Sequence, residues 1–392
     1  MATTSTTIGS VTSTSVRTAV ERVPWYVWCA VIAVTSGIVG GQWDISWHRS
    51  IGRDTFWTPA HIAIYMCGVL AGVSCGYLIL ATTFGYASNL RSATVRMWGF
   101  RGPLGAFVAA WGGVAMITSA PFDDWWHSAY GLDVKILSPP HVLLIAGMLA
   151  VETGTLVLIL GIMNRARDQF RNRLEWLFLY IGGVILIVLM TMIMEFAWHS
   201  AMHNSLYYRV VCMVVPGVLA GVARASGKRW AATTVASVYC LFWMAMGWIL
   251  PLFPAQPKLG PVYHQVTNFV PPEFPALLFI PALALDLLWG ATRNWGGWKQ
   301  AIVSAFLFLG VLVAVQWPFS GFLQTSWSQN WFFHTNAYDY GARPTWVNVR
   351  HLFFPPDAPS VFWKNMAWAV VLGALTVRLG LAWGEWMRRV RR

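Results

Sequence analysis

Apolar stretches of about twenty residues recur along this chain, and short polar connections separate them. A helix of about 20 apolar residues is long enough to cross the hydrocarbon core of a bilayer. The pattern therefore predicts an all-α fold, a polytopic transmembrane helix bundle of about ten spans. The predicted spans are residues 24–43, 60–84, 103–122, 140–163, 174–197, 206–224, 230–252, 273–290, 299–317 and 362–386.

Composition supports a protein that lies in the lipid bilayer. Hydrophobic residues make up 57% of the 392 residues and charged residues only 11%, which excludes an ordinary soluble globular protein. Residues 1–22 are rich in Ser and Thr and contain no apolar stretch. We expect this segment to be a disordered cytoplasmic tail and not a signal peptide.

The basic residues predict how the bundle is oriented. With a cytoplasmic N-terminus, ten spans return the C-terminus to the cytoplasm. Of the 27 Lys and Arg residues, 18 then lie in inner segments, seven in outer segments, and Arg209 and Arg378 within spans. This is the positive-inside bias of membrane proteins, and it accounts for much of the net charge of +12 without a nucleic-acid partner. All nine His residues fall at or near the outer, periplasmic face.

Acidic residues and histidines recur at the outer ends of these spans. Three pairs are four residues apart: Asp44 and His48, Asp123 and His127, Glu195 and His199. Positions i and i+4 share one helix face, with about 6 Å between Cβ atoms. After the first two pairs, His61 or His141 follows a Pro that can begin the next helix. Two imidazoles and a carboxylate can thus meet at one point, which is a ligand set suited to Cu, Fe or Zn.

The first two motifs indicate an internal duplication of a helix–loop–helix hairpin. Aligning the histidines of the two pairs also aligns Asp44 with Asp123, Gly52 with Gly131, and Asp54 with Asp133. The alternative to a metal site is a hydrogen-bonded network that ties two helices together near the membrane surface. Either arrangement brings three side chains into contact in each hairpin: Asp44, His48 and His61 in the first, and Asp123, His127 and His141 in the second.

Glu195, His199 and His203 form a third candidate, an i, i+4, i+8 stripe at the outer end of the fifth predicted span. The stripe is interpreted as a further metal site, as a group that supports one, or as a polar lining. A fourth look-alike, Asp286-Leu287-Leu288-Trp289-Gly290, lacks the His and falls at the opposite end of its helix. We therefore do not interpret Asp286 as part of a site.

The segment from Asp44 to His61 closely resembles the signature of the C subunit of the particulate methane and ammonia monooxygenases. That family carries Asp-x3-His-x12-His, with Arg-Asp-Thr and Thr-Pro before the last His. This chain has Asp44, His48 and His61, with Arg53-Asp54-Thr55 and Thr58-Pro59 between them. The family's second site, Asn-x3-His-x13-His, appears here as Asp123, His127 and His141, with Asp in place of Asn.

This resemblance implies copper bound by Asp44, His48 and His61, and a second metal position formed by Asp123, His127 and His141. It also implies activation of O2 and hydroxylation of a small substrate such as a short hydrocarbon or ammonia. An electron donor is then required, together with other monooxygenase-type subunits or a homotrimer. The expected location is a prokaryotic plasma or intracytoplasmic membrane.

The resemblance covers roughly residues 24–165. Residues 23–165 are accordingly predicted to form the duplicated hairpins, and residues 166–392 to add helices and an outer loop at 318–361 that caps the site. The chain is longer than a typical C subunit and contains no cupredoxin-like domain. The alternative function is a non-catalytic copper-binding membrane protein that stores copper, hands it on, or scaffolds a larger complex.

Overall fold

The computed structural model describes residues 22–52, 54–86, 93–131, 138–197, 201–258, 266–333 and 357–391. This part of the chain is mostly α-helical, with short 3-10 turns, irregular segments at 253–258 and 266–278, and one antiparallel hairpin, β1 (Val95–Met97) with β2 (Phe100–Gly102). The predicted all-α bundle is confirmed. Its helices are α1 (Trp25–Ser50), α2 (Pro59–Phe84), α3 (Leu104–Tyr130), α4 (Pro139–Met163), α5 (Asp168–Met192), α6 (Met194–Ala197), α7 (Ser205–Ser226), α8 (Ala231–Ile249), α9 (Phe279–Ala291), α10 (Gly297–Leu323) and α11 (Pro359–Met387).

Nine helices in the described ranges are long and apolar enough to cross a membrane. The protein is therefore a multi-pass membrane protein, and the bilayer is its environment. The eighth predicted span, 273–290, differs from the other nine. Its helix, α9, has only 13 residues, which at 1.5 Å per residue is about 20 Å, less than the roughly 30 Å of a hydrocarbon core.

Prolines explain why the first half of that span is not helical. Pro271, Pro272 and Pro275 lack backbone N–H groups and disfavour helix in the residue before each of them. The segment 269–276 is nevertheless buried. Non-helical backbone is tolerated at membrane depth where protein covers it and satisfies its polar groups. Here Gln316 accepts a hydrogen bond from the N–H of Leu277 at 2.9 Å.

The first four spans form two helical hairpins of the same build. Each hairpin has an eight-residue connection, 51–58 between α1 and α2 and 131–138 between α3 and α4. As predicted, α2 and α4 begin at Pro59 and Pro139. Gly52 and Gly131 have φ angles of 80° and 95°, which glycine adopts more readily than other residues. The duplicated sequence thus corresponds to a duplicated local structure.

Helix α1 packs closely on α2 just below the predicted site. A Cβ atom on Gly40 would lie 2.7 Å from the backbone nitrogen of Ile64, so only glycine fits there without a shift. Gly40 is one turn before Asp44, and Ile64 is almost one turn after His61. This close approach brings the end of α1 within reach of the first turn of α2.

At the opposite end of the bundle, the residue that follows α4 is hydrogen-bonded to the C-terminal end of α11. The side-chain amide of Asn164, just after α4, donates to the carbonyl oxygens of Met387 at 2.8 Å and Val390 at 2.7 Å. Helix α4 begins beside His141 and runs about 37 Å to this contact. The C-terminal end of α11 therefore lies at the end of the bundle away from the Asp and His motifs.

Candidate metal sites

The first cluster of acidic and His side chains forms where α1 ends and α2 begins. Oδ1 of Asp44 lies 3.2 Å from Nε2 of His61, and Oδ2 of Asp54 lies 3.3 Å from the same nitrogen. Nε2 of His48 lies 3.8 Å from Asp44 and 3.5 Å from Asp54. The structure therefore brings together the three residues singled out by the motif, and it adds Asp54.

The hydrogen bond on the far side of the His61 ring fixes its tautomer. Nδ1 of His61 lies 3.0 Å from the carbonyl oxygen of Thr55, which can only accept, so Nδ1 carries the proton. In the neutral ring Nε2 then has a lone pair, and this lone pair faces the oxygens of Asp44 and Asp54. Only a cation between these acceptors, either a metal ion or a proton on Nε2, makes the arrangement favourable.

Residues around this cluster hold its backbone in place. The Ser46 hydroxyl donates to the carbonyl oxygen of Val270 at 2.6 Å, and the N–H of Val270 donates to the Ser50 hydroxyl at 2.8 Å. The proline-rich segment thereby fastens the last turns of α1. Thr58 is the N-cap of α2 and accepts a bond from the N–H of His61 at 3.4 Å. Both helix ends that carry the cluster are thus anchored.

The second cluster repeats this arrangement at the junction of α3 and α4. Nε2 of His127 lies 3.5 Å from Oδ2 of Asp123, and Nε2 of His141 lies 3.4 Å from Oδ1. Nδ1 of His127 faces the carbonyl oxygen of Gly131 at 3.3 Å. Nδ1 of His127 is thus hydrogen-bonded to the backbone, and its Nε2 faces the carboxylate of Asp123. Asp133, the counterpart of Asp54, lies outside the described residues.

Both clusters fit a metal ion by their donor atoms. The ligand atoms of Asp44, Asp54 and His61 all lie within 4.8 Å of one another, as do those of Asp123, His127 and His141. Two ligands at tetrahedral angles, with bonds of about 2.0–2.1 Å, stand roughly 3.3 Å apart. The Nε2-to-oxygen separations of 3.2–3.4 Å between His61 or His141 and the facing carboxylates agree with this spacing.

The carboxylates of both clusters contain an oxygen that the protein leaves unsatisfied. Oδ1 of Asp44 and Oδ1 of Asp123 are buried and accept no hydrogen bond from the described residues. A buried carboxylate oxygen without a partner is costly. Nε2 of His61 faces the first oxygen at 3.2 Å and Nε2 of His141 faces the second at 3.4 Å, and each imidazole can satisfy its oxygen only when Nε2 carries a proton. With neutral imidazoles a bound metal ion would satisfy both oxygens, and in this respect the residues fit a metal.

Tyr65 lies beside the first cluster. Its hydroxyl donates to the carbonyl oxygen of Phe56 at 3.0 Å, and its ring centroid is 5.9 Å from that of His61. The carboxylates of both Asp123 and Asp44 interact electrostatically with this hydroxyl. The motifs did not single out Tyr65, although its position four residues after His61 places it on the same face of α2.

The third motif is not carried by one continuous helix. Helix α5 ends at Met192, Glu195 belongs to the four-residue α6, and α7 begins at Ser205. His203 therefore lies in the turn before α7 and not on one continuous helix with Glu195. Nε2 of His203 bonds the carbonyl oxygen of Trp317 at 3.0 Å. The side chain of Glu195 and all of His199 lie outside the described residues, so their role as ligands stays a prediction.

Two further acidic residues are separate from the clusters. Asp124 is exposed to solvent beside the second cluster and its carboxylate is not among the converging ligand atoms. Asp286 accepts bonds from the N–H groups of Ala232 at 3.2 Å and Thr233 at 2.8 Å. Asp286 therefore caps the N-terminus of α8. This role explains why its motif resembles the other three but has no His.

The connection predicted as an outer loop, 318–361, is partly helical. Helix α10 continues to Leu323, and α11 begins at Pro359. Residues 334–356, which include His334 and His351, lie outside the described part of the chain. Whether this segment caps the clusters therefore stays a prediction.

Comparisons of the chain with protein-family models, with curated proteins and with solved structures found no match.

Proposed function

We propose that the protein is a copper-dependent membrane monooxygenase, or the metal-bearing subunit of one. It would use O2 to hydroxylate a small substrate such as a short hydrocarbon or ammonia. The observation that carries this proposal is the pair of matching clusters, in which imidazole and carboxylate lone pairs converge within 4.8 Å. The two motif spacings that resemble the monooxygenase C subunit supply the choice of copper and of oxygen chemistry.

The first metal would be held by Asp44, His48 and His61, with Asp54 as an added ligand or as a partner of His48. The second would be held by Asp123, His127 and His141. Copper bound there would supply one-electron redox chemistry and open coordination positions for O2. The overall reaction takes O2, two electrons and two protons, places one oxygen atom in the substrate, and releases the other as water.

The protein's own residues would orient and protect this chemistry. The carbonyl oxygens of Thr55 and Gly131 hold His61 and His127 by their Nδ1 atoms, so that Nε2 points inward. Hydrogen bonds of this kind fix the tautomer and raise the basicity of a ligating imidazole. The Tyr65 hydroxyl, held by the carbonyl oxygen of Phe56, lies on the same face of α2 as His61 and would help to position the start of that helix. An apolar substrate would reach them from the bilayer along the exposed apolar faces of α2 and α3.

The proposed partners follow from this chemistry. The electrons would come from an external donor, and other monooxygenase-type subunits or further copies of this chain, as in a trimer, would complete the enzyme. The clusters would face the periplasm of a prokaryotic plasma or intracytoplasmic membrane. Metal would then reach them without crossing the bilayer.

Incorporation of labelled O2 tests the proposal. Membranes that contain the copper-loaded protein and an electron donor are expected to place one labelled atom in ammonia or in a short hydrocarbon. His48→Ala and His127→Ala should each abolish incorporation, whereas Asp124→Ala, at the exposed carboxylate next to Asp123, should not. Incorporation that persists in both His variants contradicts the assignment. Copper binding without incorporation in the parent protein would favour storage, transfer or a scaffold.

A further inference from the structure

A large basic groove lies at the end of the bundle away from the two Asp and His clusters. Two adjoining cavities of about 260 Å³ and 430 Å³ share Arg224, Arg293 and Gln300 in their walls. Helices α7, α9, α10 and α11 provide most of these walls. Together the cavities are lined by seven basic and two acidic residues. The groove therefore has a strong positive potential.

The two acidic residues neutralise only part of the charge of the seven basic ones. Asp286 caps α8 through the N–H groups of Ala232 and Thr233. Glu385 pairs with Arg224 at 3.1 Å and lies 4.0 Å from Arg388. Within the described ranges no carboxylate lies within 4.0 Å of the guanidinium groups of the other arginines that line the larger cavity, Arg293, Arg378 and Arg389.

Arg378 is the most informative of these residues. It stands nine residues before the end of α11, about 13 Å along the helix axis, and therefore within a span. Its Nε is buried, and no described residue provides a hydrogen-bond partner for it. A charge at this depth is costly unless it is paired. The ring of Trp298, centred 5.9 Å from the guanidinium carbon, gives the charge a cation–π contact but offers no hydrogen-bond acceptor, so Nε still lacks one.

The start of α10 adds to the positive potential beside Arg378. A Cβ atom on Gly297, the first residue of α10, would lie 3.4 Å from Nε of Arg378, so the guanidinium packs against this helix terminus. No side chain caps the terminus. Free N–H groups and the helix dipole favour an anion there. A guanidinium and a helix N-terminus thus point to one anionic group.

We propose that this groove binds a phosphate group, and that the phosphate belongs to the headgroup of an anionic phospholipid. Arginines suit phosphate because their planar donors bind two oxygens at once. A lipid suits the position because Leu375 and Leu379, on the same part of α11, are 43% and 69% exposed and face the bilayer. Basic pockets between transmembrane helices bind anionic headgroups. Inorganic phosphate shares the chemistry but not the apolar tail.

Native mass spectrometry of the purified protein with added phosphatidylglycerol or phosphatidylcholine tests this proposal. The variant R293Q/R378Q should bind phosphatidylglycerol about tenfold more weakly than the parent, because charge-assisted hydrogen bonds are lost. Phosphatidylcholine binding should be equal in both. The matched control is R96Q/R101Q, which removes two charges from the exposed β1–β2 hairpin at the same end of the bundle. It should bind both lipids like the parent.

A second arm separates lipid from free phosphate. If inorganic phosphate raises the thermal stability of the parent but not of R293Q/R378Q, and phosphatidylglycerol shows no preference, the site recognises phosphate from a soluble source. Equal phosphatidylglycerol binding by parent and R293Q/R378Q, with no phosphate effect, overturns the proposal. If R293Q/R378Q elutes as aggregate in size-exclusion chromatography, R293Q/R389Q replaces it, since Arg389 is exposed and its loss leaves Arg378 in place.

Discussion

Nε2 of His61 lies 3.2 Å from Oδ1 of Asp44, and the opposite ring nitrogen is bound to the carbonyl oxygen of Thr55. In its neutral form the imidazole therefore directs a lone pair at a carboxylate, an arrangement that a metal ion or a proton on Nε2 would stabilise. In the second hairpin it is His127, the counterpart of His48, whose Nε2 lies 3.5 Å from Asp123 and whose Nδ1 lies 3.3 Å from the carbonyl oxygen of Gly131. Repetition in two separate hairpins favours a shared requirement for a cation over a chance surface contact.

Asp54 offers the sharpest test of the first cluster. Asp54→Asn removes one charge within 3.3–3.5 Å of His61 and His48. We expect the first site to bind metal about tenfold more weakly or worse, which is the usual effect of losing a supporting carboxylate. Titration of the apo protein with copper measures this. Asp124→Asn, at an exposed carboxylate, is the control and should change nothing, and equal affinities of the two variants would exclude Asp54 from the site.

Gly40 tests whether the approach of α1 to α2 sets the cluster's geometry. Gly40→Ala places a Cβ atom 2.7 Å from the backbone nitrogen of Ile64, so the helices must separate. We expect metal loss from the first site and retention at the second. Gly41→Ala is the matched control because a Cβ atom there meets open space. If both variants keep the first metal, the cluster does not depend on this contact.

Substitution of Asp286 tests whether this residue only caps helix α8 or also takes part in metal binding. Asp286→Ala leaves the N–H groups of Ala232 and Thr233 without their acceptor, which should lower stability by about 1–2 kcal/mol. Asp286→Asn keeps an acceptor and should restore most of that loss. Thermal unfolding in detergent compares the three proteins, and their metal content should be identical. A change in bound metal would show that Asp286 is more than a cap.

The orientation of the bundle is tested by labelling. Single cysteines placed in loops 50–57 and 128–138, in a background without native cysteines, should react with an impermeant reagent from the periplasmic side. The expectation follows from the excess of basic residues in the segments at the other end. Reaction only from the cytoplasmic side would reverse the topology and with it the proposed route of metal supply.

Much of the first four spans is predictable from sequence because local signals agree with tertiary packing. Pro59 marks the start of α2, and Gly52 marks the turn that precedes it. Helical spacing places Asp44 and His48 on one face of α1. The reach of Asp54 into the cluster is not predictable in this way. It depends on the conformation of the 51–58 connection, which motif spacing alone does not determine.

Hydropathy was less informative in the second half of the chain. The apolar stretch 273–290 has the composition of a span, yet its prolines exclude helix from the first half, and buried partners such as Gln316 satisfy that backbone instead. The spacing from Glu195 to His203 is likewise not that of one continuous helix. Asn204 caps a new helix at Ser205, so the chain is not helical where the spacing requires it.

The metal content of the purified, folded protein decides whether the two clusters bind copper. We expect two copper ions per chain in the parent, one in His48→Ala/His61→Ala, one in His127→Ala/His141→Ala, and none in the combined variant, since carboxylates without imidazole hold copper weakly. EPR should resolve two copper signals in the oxidised parent and one in each double variant. Double variants that fold and keep the parent's copper content would contradict the assignment of both clusters as metal sites.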